Sequence, residues 1–180
     1  VIYFSGFCLR GESELFADWL VQSDYAVAGF SYGAIRALEY AFSSSRRIDR
    51  LLLFSPAFFQ SKKERFVTLQ LEAFRQDPES YRRNFLARAA SPAHIDLEPY
   101  LKEGSYEELE ELLRYRWEAE KLRTLQARGT VIEVFIGEKD RIIYTKGALE
   151  FFIPLATATY RFREAGHILC DGELNPLNNV

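Results

Sequence analysis

Cysteine is scarce: Cys8 and Cys170 are the only two in 180 residues, too few for a disulfide framework or a Cys-rich metal site. Methionine is absent, the chain opens on Val1, and histidine occurs twice, as His94 and His167. Two histidines so far apart do not make a ligand set, so no metal and no cofactor is expected. Long apolar runs are missing as well. Stretches such as Leu51-Leu52-Leu53-Phe54 fall far short of the ~20 residues a bilayer-spanning helix needs. The first residues lack the basic, apolar and small-residue succession of a signal peptide. Neither sign of charge dominates: 23 Lys and Arg stand against 26 Asp and Glu, a net charge of −3, which leaves no electrostatic footprint for nucleic acid. The expectation is a soluble cytoplasmic protein with neither membrane nor nucleic acid as a partner. What is present is globular in kind, with 48% apolar and 27% charged residues. A length of 180 residues predicts a single domain over 1–180.

Short β-type runs alternate with helical periodicity. Residues 2–4, 25–28, 51–54, 131–136 and 158–162 read as five strands, and 12–21, 34–42 and 148–152 as helices. That alternation predicts an α/β fold with a mostly parallel sheet covered on both faces. Residues 57–128 break the rhythm, holding no convincing strand, and are expected to form a helical insertion, or cap. Three helix starts divide it: Asp77-Pro78, Ser91-Pro92 and the capping-box spacing of Ser105 and Glu108. The helix after Ser105 is expected to carry Leu109, Leu112, Leu113, Trp117 and Leu122 near one face, and His94 to sit on the helix after Pro92.

Gly29-Phe30-Ser31-Tyr32-Gly33 matches G-x-S-x-G between a strand and a helix. Such a sharp turn presents a serine hydroxyl outward while the glycines let two backbones pass closely. A serine needs a base. His167 follows the fifth strand, at the sheet edge where catalytic groups collect; His94 lies in the insertion. Asp140, just past the fourth strand, is the carboxylate expected to orient His167, with Glu138 and Glu164 as competitors. The chain order Ser31, Asp140, His167 is that of the α/β-hydrolases. Two backbone amides are expected to form an oxyanion hole, one from Tyr32 and one from Phe7 in the loop after the first strand. Cys8 beside that loop is a less suited nucleophile because it lacks the serine's turn. These residues describe an acyl hydrolase working through an acyl-serine and do not name the acyl group. A short-chain carboxylesterase, a thioesterase and a catalytically silent binding protein all stay open. Phe58, Phe59, Phe66 and Phe74 could line an acyl tunnel or pack the insertion.

Phe4-Ser5-Gly6-Phe7, Gly29 to Ile35, Leu51-Leu52-Leu53-Phe54-Ser55-Pro56 and Glu133-Val134-Phe135-Ile136-Gly137 together resemble the pimeloyl-[acyl-carrier protein] methyl ester esterases of biotin synthesis. The likeness runs through the insertion, at Gln76 to Tyr81 and Gly104 to Glu110, and thins after Cys170. One departure is that the first strands of larger hydrolases are lacking, as the early position of Ser31 shows. The resemblance implies hydrolysis of the methyl ester on pimeloyl-acyl carrier protein, with methanol released and a triad of Ser31, Asp140 and His167. It also implies an acyl carrier protein as partner. Residues 61–88 hold seven basic groups against four acidic ones, and Arg75, Arg82, Arg83 and Arg88 among them are the expected contacts for an acidic carrier.

Overall fold

The computed structural model describes residues 1–170; residues 171–180, which the one-domain expectation includes, lie outside the described residues. The β-type runs become β1 (Ile2–Phe4), β2 (Ala26–Phe30), β3 (Arg50–Phe54), β4 (Val131–Gly137) and β5 (Ala158–Phe162). All are parallel and lie side by side in chain order. Register pairs Phe4 with Gly29, Phe30 with Phe54, Phe54 with Phe135 and Gly137 with Phe162. The carboxyl ends of the strands therefore share one edge.

Period-two alternation sorts the strand side chains. Val27, Leu51, Leu53, Ile132, Val134 and Ile136 face α1 (Tyr32–Ser43), α5 (Ala119–Ala127) and α6 (Thr145–Phe152). Ala28, Phe30, Leu52, Phe54 and Phe135 face the other way, toward Phe16, Leu97 and Ile168. Both faces being covered, the central strands read as continuous apolar runs rather than alternating ones.

The helix expected over 12–21 is a single 3₁₀ turn, Glu12–Phe16. Its apolar residues do not share a helix face but spread over the flat sheet. Phe16 lies against the rings of Phe30 and Phe54 at 4.9 and 4.7 Å, and Trp19 reaches Phe135 and Phe162. Full burial of a side chain the size of Phe16 contributes about 2–3 kcal/mol, enough to hold the segment without a long helix.

Between β3 and β4 come α2 (Glu64–Gln76), α3 (Pro78–Ala90), a 3₁₀ turn at Glu98–Tyr100, α4 (Tyr106–Arg114) and α5. Asp77 caps α3 by accepting from the Ser80 amide, and Ser105 and Glu108 close the capping box of α4. Two expectations differ. Ser91-Pro92 starts no helix: it lies in a turn, its Ser91 carbonyl against Gly166, and His94 has φ 54. The helix after Ser105 ends at Arg114. The buried Trp117 then spends its amide on Gln60 and its indole N–H on the Ala57 carbonyl, at 2.7 and 2.8 Å, and those bonds pull the chain out of helix before Ala119.

Candidate active site

β2 delivers Ser31 to the carboxyl edge of the sheet. Its backbone sits at φ 54, ψ −111, a conformation that costs an L-residue about 1–3 kcal/mol and turns the chain sharply from strand into α1. The turn is possible because Gly29 and Gly33 lack side chains. A Cβ on Gly29 would lie 2.1 Å from the Gly33 carbonyl oxygen, and one on Gly33 would lie 1.9 Å from that of Phe4. The Ser31 amide donates to the Phe54 carbonyl at 2.9 Å, which pins the turn to β3.

The loop after β5 brings His167 to the same place, and the loop after β4 brings Asp140. His167 Nε2 lies 2.9 Å from Ser31 Oγ, and Nδ1 lies 2.6 Å from Asp140 Oδ2. A carboxylate only accepts, so Nδ1 carries the proton and Nε2 is left to accept from the serine hydroxyl. Asp140 is held in turn: its Oδ1 accepts from the Ile142 and Ile143 amides at 2.7 and 3.2 Å. All three side chains are shut away from bulk solvent, Ser31 and His167 at 1% exposure. The competing carboxylates are engaged elsewhere, Glu138 with Arg161 and Glu164 with Lys139.

Two groups not singled out by sequence reasoning shape this row. Ser55, at φ 41 just past β3, donates its hydroxyl to the His167 carbonyl at 2.6 Å and so ties the histidine loop to the sheet. Phe30 lays its ring against the imidazole, centroids 4.9 Å apart. Ser55 carried a legible signal, being a serine at the same edge as Ser31 and one strand over. Phe30 carried none beyond its apolar class.

The Tyr32 amide opens α1 and has no acceptor within the helix, as at any helix N-terminus. Its side chain turns away, donating to Glu111 of α4 at 2.5 Å. Phe7 follows Ser5-Gly6, and the Phe4 and Ser5 carbonyls abut Gly33, so that loop runs directly across the serine turn. Cys8 is buried, and burial pushes its thiol up to about 12. At neutral pH almost none is thiolate. Cys8→Ala is expected to keep ester turnover, and a maleimide should label Cys8 quickly only after denaturation; rapid labelling of the folded chain with loss of turnover would restore it as a reactive group.

A cavity of about 180 Å³ opens beside Asp140, between Phe59, Phe66, Leu109 and Ile143, with Lys62, Arg88 and Arg141 among its walls. Of the four phenylalanines, Phe59 and Phe66 line it, while Phe58 packs on Phe151 and Phe152 and Phe74 on Phe7 and Tyr81. The four arginines do not line one cavity. Arg88 lines this cavity; Arg82 and Arg83 line a separate groove of about 390 Å³ with Glu79, Asp96 and Glu98; Arg75 stacks over Tyr106 at 4.2 Å. Among the described residues no three metal-ligating side chains come together, and no helix is long and apolar enough to cross a membrane.

Parallel strands, a serine on a strand-to-helix turn, and an aspartate and histidine on later strand ends define the α/β-hydrolase fold. Solved structures agree. Carboxylesterase CesB (YbfK) from Bacillus subtilis superposes with a TM-score of 0.64 at 15% identity, covering 98% of this chain and 80% of that one. BioG from Haemophilus influenzae does so with a TM-score of 0.56 at 13% identity, covering 93% and 87%. In sequence, 71 residues are 39% identical to homoserine O-acetyltransferase of Thermobifida fusca (strain YX), a stretch that makes up 39% of this chain and 19% of that protein. No family model matches the chain.

Proposed function

We propose that the protein is a serine ester hydrolase that cleaves the methyl ester of pimeloyl-acyl carrier protein. The observation that carries the hydrolase reading is the hydrogen-bonded row Ser31–His167–Asp140 at the strand edge. Ser31 Oγ adds to the ester carbonyl while its proton passes to His167 Nε2. The amides of Tyr32 and Phe7 take the negative charge of the tetrahedral oxygen. His167 returns the proton to the departing methoxide, so methanol leaves and an acyl-serine remains. Water, deprotonated by the same nitrogen, then releases the acid and frees Ser31. Asp140 supports the imidazolium that forms in both halves.

The substrate rests on the resemblance of the loop, elbow and strand motifs to the methyl ester esterases. A cavity walled by apolar rings together with cations suits an acyl chain joined to an anionic carrier arm. Incubation with methyl pimeloyl-carrier followed by mass spectrometry should show loss of one methylene from the carrier-bound chain; an unchanged mass, or loss of the whole acyl group, would remove this substrate. For docking, Arg82→Glu with Arg83→Glu is expected to raise the Michaelis constant for the carrier-bound ester several-fold and to leave a small free ester unaffected. Parallel losses on both substrates, or no loss on either, would take the carrier off this groove.

A second reading, acyl transfer to a hydroxyl other than water, is favoured by the likeness to homoserine O-acetyltransferase. It requires that an activated acyl ester plus homoserine yield O-acyl homoserine in place of free acid.

A further inference from the structure

Glu12 is wholly buried, yet it is a carboxylate, at the start of the short turn Glu12–Phe16. Its Oε1 accepts from the Gly6 amide at 2.8 Å and from the Tyr3 hydroxyl at 3.2 Å. Its Oε2 meets no hydrogen-bond partner among the described residues. Burying a carboxylate with half its lone pairs unanswered costs several kcal/mol, which packing alone does not justify.

The place it occupies supplies a reason. β1 is an edge strand, and its ladder ends where Phe4 pairs with Gly29. Beyond Phe4, among the described residues, no strand pairs with Ser5-Gly6-Phe7. Gly6 is held by Glu12 on its amide and the Leu9 amide on its carbonyl, at 3.2 Å, while the Phe7 ring packs on Phe74 and Phe85 and the Cys8 carbonyl accepts from Lys102. Gly6 also sits on the Phe30 ring, where a Cβ would come within 2.8 Å, and Phe30 packs on the His167 imidazole. The residue that Glu12 grips thus touches the serine turn and immediately precedes Phe7. Tyr3 stays a donor, since burial first and the Glu12 charge second push its hydroxyl far above the ordinary tyrosine range.

We propose that Glu12 is a positioning residue: its buried carboxylate oxygen fixes the Gly6 amide and thereby sets the Phe7 N–H where the oxyanion forms at Ser31. The inference rests on the reading of Ser31 as nucleophile. It assigns Glu12 no contact with substrate. A displacement of about 1 Å in such a donor is worth roughly a hundredfold in rate, and loss of a whole donor about 10²–10³.

The test uses the full chain, a short nitrophenyl ester, and an alkylboronic acid, which adds to the serine as a tetrahedral anion with one oxygen at the oxyanion position. Glu12→Gln keeps an acceptor for Gly6 and Tyr3 and places its amide nitrogen where Oε2 has no partner; it should hold kcat within about threefold. Glu12→Asp keeps the charge but withdraws the acceptor by one methylene, and Glu12→Ala removes it. Both should lose about ten- to a hundredfold in kcat with the Michaelis constant within about twofold, and boronate affinity should fall by a matching factor. If Glu12→Ala does not fold, Glu12→Asp with Glu12→Gln carries the comparison. The inference is overturned if Glu12→Asp keeps kcat and boronate affinity, or if Glu12→Gln falls as far as Glu12→Asp. Failure of the nucleophile reading looks different: the unmodified chain would then not bind boronate, or Ser31→Ala would keep its rate.

Discussion

Ser31→Ala is expected to fold as the parent does and to lose ester turnover by about 10³ or more. The fold should survive because the turn is held by backbone: the Ser31 amide on Phe54, the Ser31 carbonyl accepting from Ala34 and Ala57, and Gly29 and Gly33 at their close approaches. Alanine tolerates φ 54 no worse than serine does. The substitution removes the side chain's hydrogen bond to His167 and, with it, the hydroxyl that the proposed mechanism uses as nucleophile. Steady-state rates on a short ester, paired with fluorophosphonate labelling and peptide mass mapping, measure this. Near-native turnover in the variant, or label on another residue, sinks the assignment.

Asp140→Asn should cost about 10³–10⁴ in kcat while leaving the fold intact, through the imidazole tautomer rather than through lost contact. Asp140 Oδ1 accepts two backbone amides, so an asparagine must turn its carbonyl oxygen toward Ile142 and Ile143. Its NH₂ then faces His167 Nδ1, which can only accept from it. The proton moves to Nε2, and the nitrogen facing Ser31 can no longer take the hydroxyl proton. His167→Ala should be as inactive as Ser31→Ala, and the double variant no worse than either, because the row acts as a unit. Glu138→Gln, whose parent side chain pairs with Arg161 at 2.7 Å, should change little. A larger loss from Glu138→Gln than from Asp140→Asn would transfer the orienting role.

The parts legible in the sequence are those where local chemistry and tertiary need coincide. The central strands are buried on both faces, so their apolar runs are unbroken; Ser31 and Asp140 stand just past β2 and β4, and His167 follows the edge strand β5. Asp77 and Ser105 announce α3 and α4 because their side chains do the capping. By contrast α2 begins at Glu64, after Lys63, which makes no side-chain cap, so nothing local marks its start. The 12–21 segment has helical spacing, yet its rings are claimed by the sheet. Trp117 fits the periodicity of α4 and is drawn off by Ala57 and Gln60, sixty residues distant in chain for the indole bond. Glu12 reads as an ordinary surface glutamate, since its value lies in an amide it meets only after β1 has been laid at the sheet edge.

The adjacency of β3 and β4 bears on how the chain reaches this state. Arg50 pairs with Ala26 on one side and with Val131 on the other. The second pairing closes a chain loop more than three times as long, containing α2 to α5. Loop entropy grows only with the logarithm of length, so that difference amounts to about 1 kcal/mol of stability. Its kinetic weight is larger, because sheet pairings distant in sequence form late and slow the folding of the whole. Residues 1–54 can assemble β1, β2, β3 and α1 from near neighbours, including the serine turn. The partners of that serine are delivered only by the two strands on the far side of the long loop. Ser31 is therefore expected to settle among contacts near in sequence and His167 among distant ones, separated by the loop that carries α2 to α5.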